Sequence, residues 1–306
     1  MASEKITVGG QAVIEGVMMR SPTHVATAVR RLDGEISVRK TPFVSVSKRN
    51  KLLGIPVIRG AVVLIETLSL GIGALTFSAE EAMKDVSGGD AKGGEAHSGK
   101  AQASTSKSRG TLTTASLVLT VVAALVLGFM LFFYLPLFVA ERIGVKSAFW
   151  FNVIDGAVRL VVFVLYVRLV GLWGEMKKLY QYHGAEHKTI HAFEAGEELV
   201  TENVMKHSTL HARCGTSFLL AVVVVSLVVF IALGRPEDWG ERAVRFLLVP
   251  AIAGVAFELT KLSGKHAKSA WGSALIAPGL WLQRMTTAEP TAGQVEVALR
   301  ALREVL

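Results

Sequence analysis

Between Arg109 and Glu141 the chain carries no charged residue. That run exceeds the roughly 20 apolar residues a helix needs to cross a bilayer. In lipid the backbone must satisfy its own hydrogen bonds, so such a segment has to be helical. Its length and Pro136 near its end predict a tilt or a kink. Three more stretches are similar. Residues 147–167 open with Phe149 and Trp150, which suit the membrane interface, and carry Asp155 and Arg159 four apart on one helical face. Residues 214–234 are uncharged, and residues 243–262 hold Arg245 near one end and Glu258 near the other. Composition agrees: charged residues make up 19%, against about 25% in a typical soluble protein. The single cysteine, Cys214, excludes an internal disulfide.

Four spans put both termini on one side of the membrane. The segments on that side hold 27 Lys and Arg residues, whereas the opposite loops hold four: Arg142, Lys146, Arg235 and Arg242. Both termini are therefore expected in the cytoplasm. The net charge of +8 is thereby explained as a topology signal, and no nucleic-acid partner is required. No secretory signal is expected, because the first residues carry Glu4 and Lys5 without an apolar run. Residues 52–79 are apolar but interrupted by Pro56, Arg59 and Glu66. A fifth span there would break the charge asymmetry, so an interfacial or re-entrant helix is expected. Residues 271–282, with Pro278 and Trp281, are too short to span and are also expected at the interface.

Residues 1–51 are expected to form a small cytoplasmic β element. Val25, Thr27 and Val29 alternate with Ala26 and Ala28, Asp33-Gly34 supplies a hairpin turn, and Ile36 and Val38 resume the alternation. The glycine-rich start from Gly9 to Arg20 has no strong period; a turn with a packing strand is one reading, a loop lining a site the other. After an interfacial or re-entrant unit at 52–85, residues 86–110 read as a flexible linker of Gly, Ser, Ala and Lys. It holds a near-match to a phosphate-binding loop at 94–101, rejected because no Ser or Thr follows Lys100 and no strand precedes it. The four-helix membrane region should cover 111–262, with a histidine-rich cytoplasmic connector at 171–213. Residues 263–306 should hold the second interfacial segment and an amphipathic helix with Val295, Leu299, Leu302 and Leu306 on one face.

Chemistry concentrates in the connector. Five of the eight histidines fall within residues 183–211, where uniform scattering would place fewer than one. His183, His187 and His191 are spaced i, i+4, i+8, and His207 and His211 are four apart, with Cys214 three further on. On helices such residues share a face, so two facing helices could offer three or four imidazoles to one divalent ion, best suited to zinc and acceptable to iron or manganese. His183-Gly184-Ala185-Glu186-His187 also fits the H-x-x-E-H pattern of inverted zincins, in which the glutamate is the general base. Against this stand interfacial or hydrogen-bonded histidines with no metal, and a purely structural metal. Cys214 reads as a small buried residue or as support for a ligand. Glu258, ionisable near the membrane, is a candidate to orient a histidine from behind or to pair with Lys261. Asp155 and Arg159 read as a pair.

The runs GGQAVIEGVMMRSP at 9–22, YHGAEHKTIHAFE at 182–194, HSTLHARCGTSF at 207–218 and PGLWLQRMTTAEP at 278–290 resemble the YqhQ-like family. This is a bacterial membrane-protein family of unknown function, often labelled a predicted metal-dependent enzyme. The resemblance covers nearly the whole chain except the linker; it implies a metal site and establishes no reaction.

Together these readings predict a mainly α, polytopic protein of the bacterial inner membrane with a small N-terminal β element. The foremost functional expectation is a zinc-dependent hydrolase at the cytoplasmic interface, acting on a peptide or a lipid. His183 and His187 would be ligands completed by His207 or His211 and joined by His191, Glu186 the base, and Glu258 and Cys214 the supporting groups. A homo-oligomeric scaffold whose metal clamps the connector is the alternative, and a diiron-type oxidase ranks below both.

Overall fold

The computed structural model describes residues 6–89, 119–120, 122–267 and 269–306. Most of the linker, including the near-match at 94–101, lies outside the described residues.

The N-terminal sheet forms as the alternation predicts. Strands β1 (Gly9–Val13), β2 (Gly16–Arg20), β3 (His24–Arg30) and β4 (Ile36–Pro42) make an antiparallel meander in sequence order. Between β3 and β4, Gly34 takes φ +88° at the Asp33-Gly34 turn, a conformation that costs glycine little. The period of two sorts the side chains onto two faces. Val17, Met19, Ala26 and Ala28 face one way, and Val13, Met18, Val25 and Val29 the other. The glycine-rich start is thus a hairpin, β1–β2, with two buried faces.

Both faces are covered by helices. Helix α1 (Val46–Arg49) follows the sheet, and the 32-residue α2 (Ile58–Gly89) lays Leu70, Ala74 and Phe77 against the second face. Helix α3 (Val122–Ile143) contains a π-turn at Met130–Tyr134, just before Pro136. Helices α4 (Ala148–Val170) and α5 (Gly174–Ala195) come next, then the single turn α6 (Thr201–Val204) and α7 (Gly215–Leu233). Helices α8 (Trp239–Leu247) and α9 (Val249–Lys265) run on with Leu248 between them, followed by α10 (Ala270–Thr286) and α11 (Ala292–Val305). Helix α11 starts from a capping box formed by Thr291 and Gln294. It buries Val295, Leu299 and Leu302 with α5 on the first sheet face, as its helical spacing predicts, whereas Leu306, expected on the same face, ends exposed after the last turn.

Among the described residues, four helices are long and apolar enough to cross a membrane: Ile58–Lys84, Val122–Ile143, Gly215–Leu233 and Trp239–Lys265. This set differs from the sequence expectation at two places. Residues 52–79 were expected not to span, yet α2 runs unbroken from Ile58, because Pro56 and Arg59 fall at its start and Glu66 is the one charge between Arg59 and Glu80. Residues 147–167 form the 23-residue α4, which is not in the set; it buries Asn152, Asp155 and Arg159 on a polar face. Helix α10, with Pro278 inside it, is also outside the set, as expected for a short segment.

Candidate metal centre

Helix α5 carries the first histidine group, and it is helical throughout, so His183, His187 and His191 share a side. It is fixed by contacts along its length. The Tyr182 hydroxyl donates to Glu15 at 3.2 Å, and buried Lys188 donates to the Met205 carbonyl at 3.0 Å while pairing with Glu289 at 2.9 Å. The second group departs from expectation. His207 and His211 lie in an irregular segment, 205–214, not on a facing helix. The reason is visible in the hydrogen bonds. The Thr209 carbonyl accepts from His187 Nδ1 at 2.5 Å, and the Leu210 carbonyl accepts from His191 Nε2 at 2.9 Å. In a helix interior those carbonyls would be taken by the backbone.

The carbonyls also settle the ring protons. A carbonyl only accepts, so a ring nitrogen facing it carries the hydrogen. His183 Nδ1 donates to the Thr286 carbonyl at 2.8 Å and His187 Nδ1 to Thr209, so in the neutral rings the Nε2 atoms carry the lone pairs, that of His183 facing the Cys214 thiol. This is how metal-binding imidazoles are commonly oriented from behind. His183 Nε2 lies 3.2 Å from Cys214 Sγ, and the ligand atoms of His183, His187 and Cys214 all lie within 4.8 Å of one another. Zinc–nitrogen and zinc–sulfur bonds of about 2.0–2.3 Å at tetrahedral angles set ligand atoms about 3.3–3.7 Å apart. The group could hold a metal ion after small movements.

The other imidazoles continue the row without joining this group. Ring centroids are 4.4 Å apart for His183–His187, 5.7 Å for His187–His211, 4.6 Å for His191–His211 and 6.1 Å for His191–His207. Their nitrogens are committed elsewhere. His211 Nδ1 accepts from the Arg213 amide at 3.3 Å while its Nε2 faces Glu194 at 3.5 Å, and His207 Nε2 lies 3.0 Å from Glu197. Glu258 is held by Arg59, with contacts of 2.6, 2.8 and 3.1 Å.

Burial dominates the electrostatics. It pushes Glu186 up to about 8, with Cys214 adding and His183 and the Gly10 amide opposing. It pushes the Cys214 thiol up, His187 well below the usual histidine range, and His211 down to about 4. Neutral imidazoles and a protonated thiol are the metal-free forms of metal ligands, and a bound ion would displace the thiol proton. Glu186, 5% exposed, sits beside the group against β1; a Cβ on Gly10 would stand 3.1 Å from its Oε1.

These residues are among those lining a cavity of about 900 Å³. Its lining includes Gly10, Glu186, His183, His187 and Cys214, the apolar Leu64, Leu70, Phe218, Leu219 and Phe257, and the cationic Arg20, Arg213, Lys261 and Lys265. The glycine-rich hairpin is therefore both a packing strand and a cavity wall. Sequence reasoning missed the two orienting carbonyls, which have no residue signature. It also missed Gln283, fully buried on α10, whose Nε2 donates to the His211 carbonyl and to Ser217 Oγ, both at 2.9 Å, while its Oε1 accepts from the His211 amide at 2.8 Å.

Residues 55–306 match a family described as "Protein of unknown function (DUF1385)". The chain belongs to this family. It is 34% identical over 302 residues to "Uncharacterized protein YqhQ" of Bacillus subtilis (strain 168), covering 97% of this chain and 92% of that protein. The match takes in all the histidine runs and agrees with the YqhQ-like resemblance. No solved structure matches.

Proposed function

We propose that this DUF1385 chain is a zinc-dependent hydrolase of the inner membrane, with His183, His187 and Cys214 as its metal ligands. The observation that carries the reading is the pair of imidazoles whose Nδ1 atoms are tied to carbonyls while both Nε2 atoms lie beside a buried thiol. A divalent ion held there would act as a Lewis acid and lower the pKa of a coordinated water. Three ligands fit an open site, since structural zinc sites close with four; the oligomeric scaffold with a closed metal would need a fourth ligand from outside the group. Glu186, which lines the same cavity and accepts from the Gly10 amide, would exchange the proton. The mostly apolar lining, with cationic Arg20, Lys261 and Lys265 among it, favours an anionic amphiphile over a peptide as substrate: a lipid ester whose scissile bond reaches the His183–His187–Cys214 group.

Topology supports an inward-facing site. The sheet, α5 and α11 share one core, so both termini and the connector belong to one side. The excess of Lys and Arg expected on that side favours the cytoplasm. Phe43 and Phe77 pack on the same sheet face. That packing favours α2 as an interfacial helix lying along the membrane surface, since an unbroken helix of this length cannot turn back within the bilayer.

Elemental analysis of the full chain, purified in mild detergent, tests the ligand set. About one zinc per chain is expected, lost in His187→Ala and in Cys214→Ser and kept in His207→Ala. Undiminished zinc in the first two variants refutes it. Metal-loaded protein mixed with phospholipid vesicles should release fatty acid or headgroup, and Glu186→Gln should stop release at unchanged zinc content. A Glu186→Gln protein with full turnover removes that residue from the chemistry.

A further inference from the structure

At the far end of the bundle a second site combines buried arginines with aromatic rings. Helix α7 runs from its Cys214 cap to Gly234. At 1.5 Å per residue this puts Gly234 about 30 Å along the helix from Cys214. Around it Arg159 of α4 and Arg242 and Arg245 of α8 line a cavity of about 80 Å³ walled by Phe129, Phe133, Phe230 and Phe246. A water molecule's share of liquid is about 30 Å³, so the space suits one compact polar group.

Three guanidiniums crowd there, and Arg245 meets its nearest carboxylates, Asp155 and Glu241, only through space and not in contact. Arg159 donates to Asp155 at 2.9 Å and to Ser226 at 3.3 Å, and Arg242 pairs with Glu141 at 2.5 Å. Arg245 is 6% exposed and donates to Asn152 Oδ1 at 2.9 Å and to the Gly234 carbonyl. Among the described residues no carboxylate lies within ion-pair distance of it. Arg159 Nε, Arg242 Nε and Arg245 Nη1 are buried without hydrogen-bond partners, as is Asp155 Oδ1. Arg159 and Arg245 stack over the Phe230 ring at 5.0 and 4.8 Å, which holds the guanidinium planes but neutralises nothing. A buried cation with no carboxylate in contact and an unpartnered N–H is costly. The mouth supplies the second clue: Phe129, Tyr134, Trp239 and Phe246 are all at least 40% exposed. The π-turn at Met130–Tyr134 presents Phe133 and Tyr134 to this cavity; such turns are frequent at functional sites.

We propose that this cavity binds a phosphate group. Forked guanidinium donors match a tetrahedral oxyanion, one negative charge neutralises Arg245, and the exposed aromatic mouth suits the acyl chains of a phospholipid that carries the phosphate.

Native mass spectrometry of the full chain released from detergent, with phosphatidylglycerol or phosphatidylcholine added, tests this. One tightly retained phosphatidylglycerol per chain is expected. Its affinity should fall about tenfold in Arg245→Gln, the loss of one charge-assisted contact. It should be unchanged in Arg235→Gln, an exposed cation at the same end of the bundle. Displacement of the lipid by millimolar inorganic phosphate would assign the site to the oxyanion itself; no displacement would assign it to the lipid, and both support the phosphate. Equal retention by wild type and Arg245→Gln, or no retention, overturns the proposal. Should Arg245→Gln fail to fold, a saturable one-to-one change in wild-type tryptophan emission on phosphatidylglycerol addition, absent in Trp239→Phe, takes its place; no saturable change overturns it equally.

Discussion

Gln283 touches none of the three proposed ligands, yet its loss should weaken the metal centre. It spends its whole amide on the segment before α7, binding both the amide and the carbonyl of His211 as well as Ser217 Oγ. That segment also presents the Thr209 carbonyl to His187 and ends at Cys214. Gln283→Leu keeps the volume approximately and leaves the His211 amide and carbonyl buried without partners. Each such orphan costs about 1–3 kcal/mol, so about 3 kcal/mol in all is expected. At about 2–4 °C per kcal/mol for a chain somewhat smaller than this one, the melting temperature should drop on the order of 10 °C. The five tryptophans report unfolding in detergent, and zinc affinity should fall in parallel because Cys214 and Thr209 lose their support. A Gln283→Leu protein that melts within about 1 °C of wild type and keeps its zinc affinity would refute the reasoning.

Three further outcomes follow from other contacts. A Cβ at Gly184 would strike the Ala288 carbonyl oxygen and approach Thr209 Cγ2 at 3.2 Å. Gly184→Ala should therefore cost about 1–3 kcal/mol in thermal unfolding, and an unchanged melting curve would show that the chain after α10 is not seated there. His211, depressed to about 4 by burial, faces Glu194, Arg213, His187 and His191. The unfolded chain takes up that proton below about 6.5 and the folded chain only near 4. Chelator-treated protein should therefore lose up to about 3 kcal/mol as pH falls across that window, and less in His211→Asn; equal acid sensitivity in both would exclude His211 as the cause. Glu258 and Arg59 form a bidentate pair at side-chain exposures of 25% and 28%. A double-mutant cycle should return about 1 kcal/mol of coupling, with zinc content unchanged in Glu258→Gln; loss of zinc there would mean that Glu258 does orient a histidine.

What was legible in the sequence was periodic and local. The alternation through β3 and the Asp33-Gly34 turn are properties of adjacent residues, and so is the i, i+4 spacing on α5. What was hidden depended on contacts distant in sequence or on backbone atoms. His207 and His211 have the same spacing as the helical pair, but the carbonyls around them are claimed by His187 and His191, and that demand keeps the segment irregular. Cys214 looked like a small buried residue because it is one: its Sγ caps α7, accepting from the Thr216 amide at 3.4 Å. That cap also holds the sulfur still beside His183. Helix α2 was obscured by Pro56, Arg59 and Glu66, which weigh on a composition window but sit where the helix starts or where Ser45 binds the glutamate, at 2.8 Å.

The position of the proposed centre has a thermodynamic consequence. Its walls come from β1, α5, the cap of α7 and the end of α10, so it exists only when the sheet has docked on the helices. A ligand that binds only the docked state stabilises it by RT ln(1 + [L]/Kd), about 2.7 kcal/mol at a hundredfold excess over Kd. Chelation should therefore loosen the docking of the sheet before it disturbs the helices. Amide exchange can separate the two. On metal removal, β1 and the segment 205–214 should lose protection by up to about a hundredfold, while the α7 interior, held by its own hydrogen bonds, should not change. Uniform loss along the chain would mean that the metal stabilises the whole fold as one unit. Unchanged protection in β1 would mean that the centre is finished without the sheet, and that Gly10 and Glu186 are neighbours of the metal with no energetic link to it.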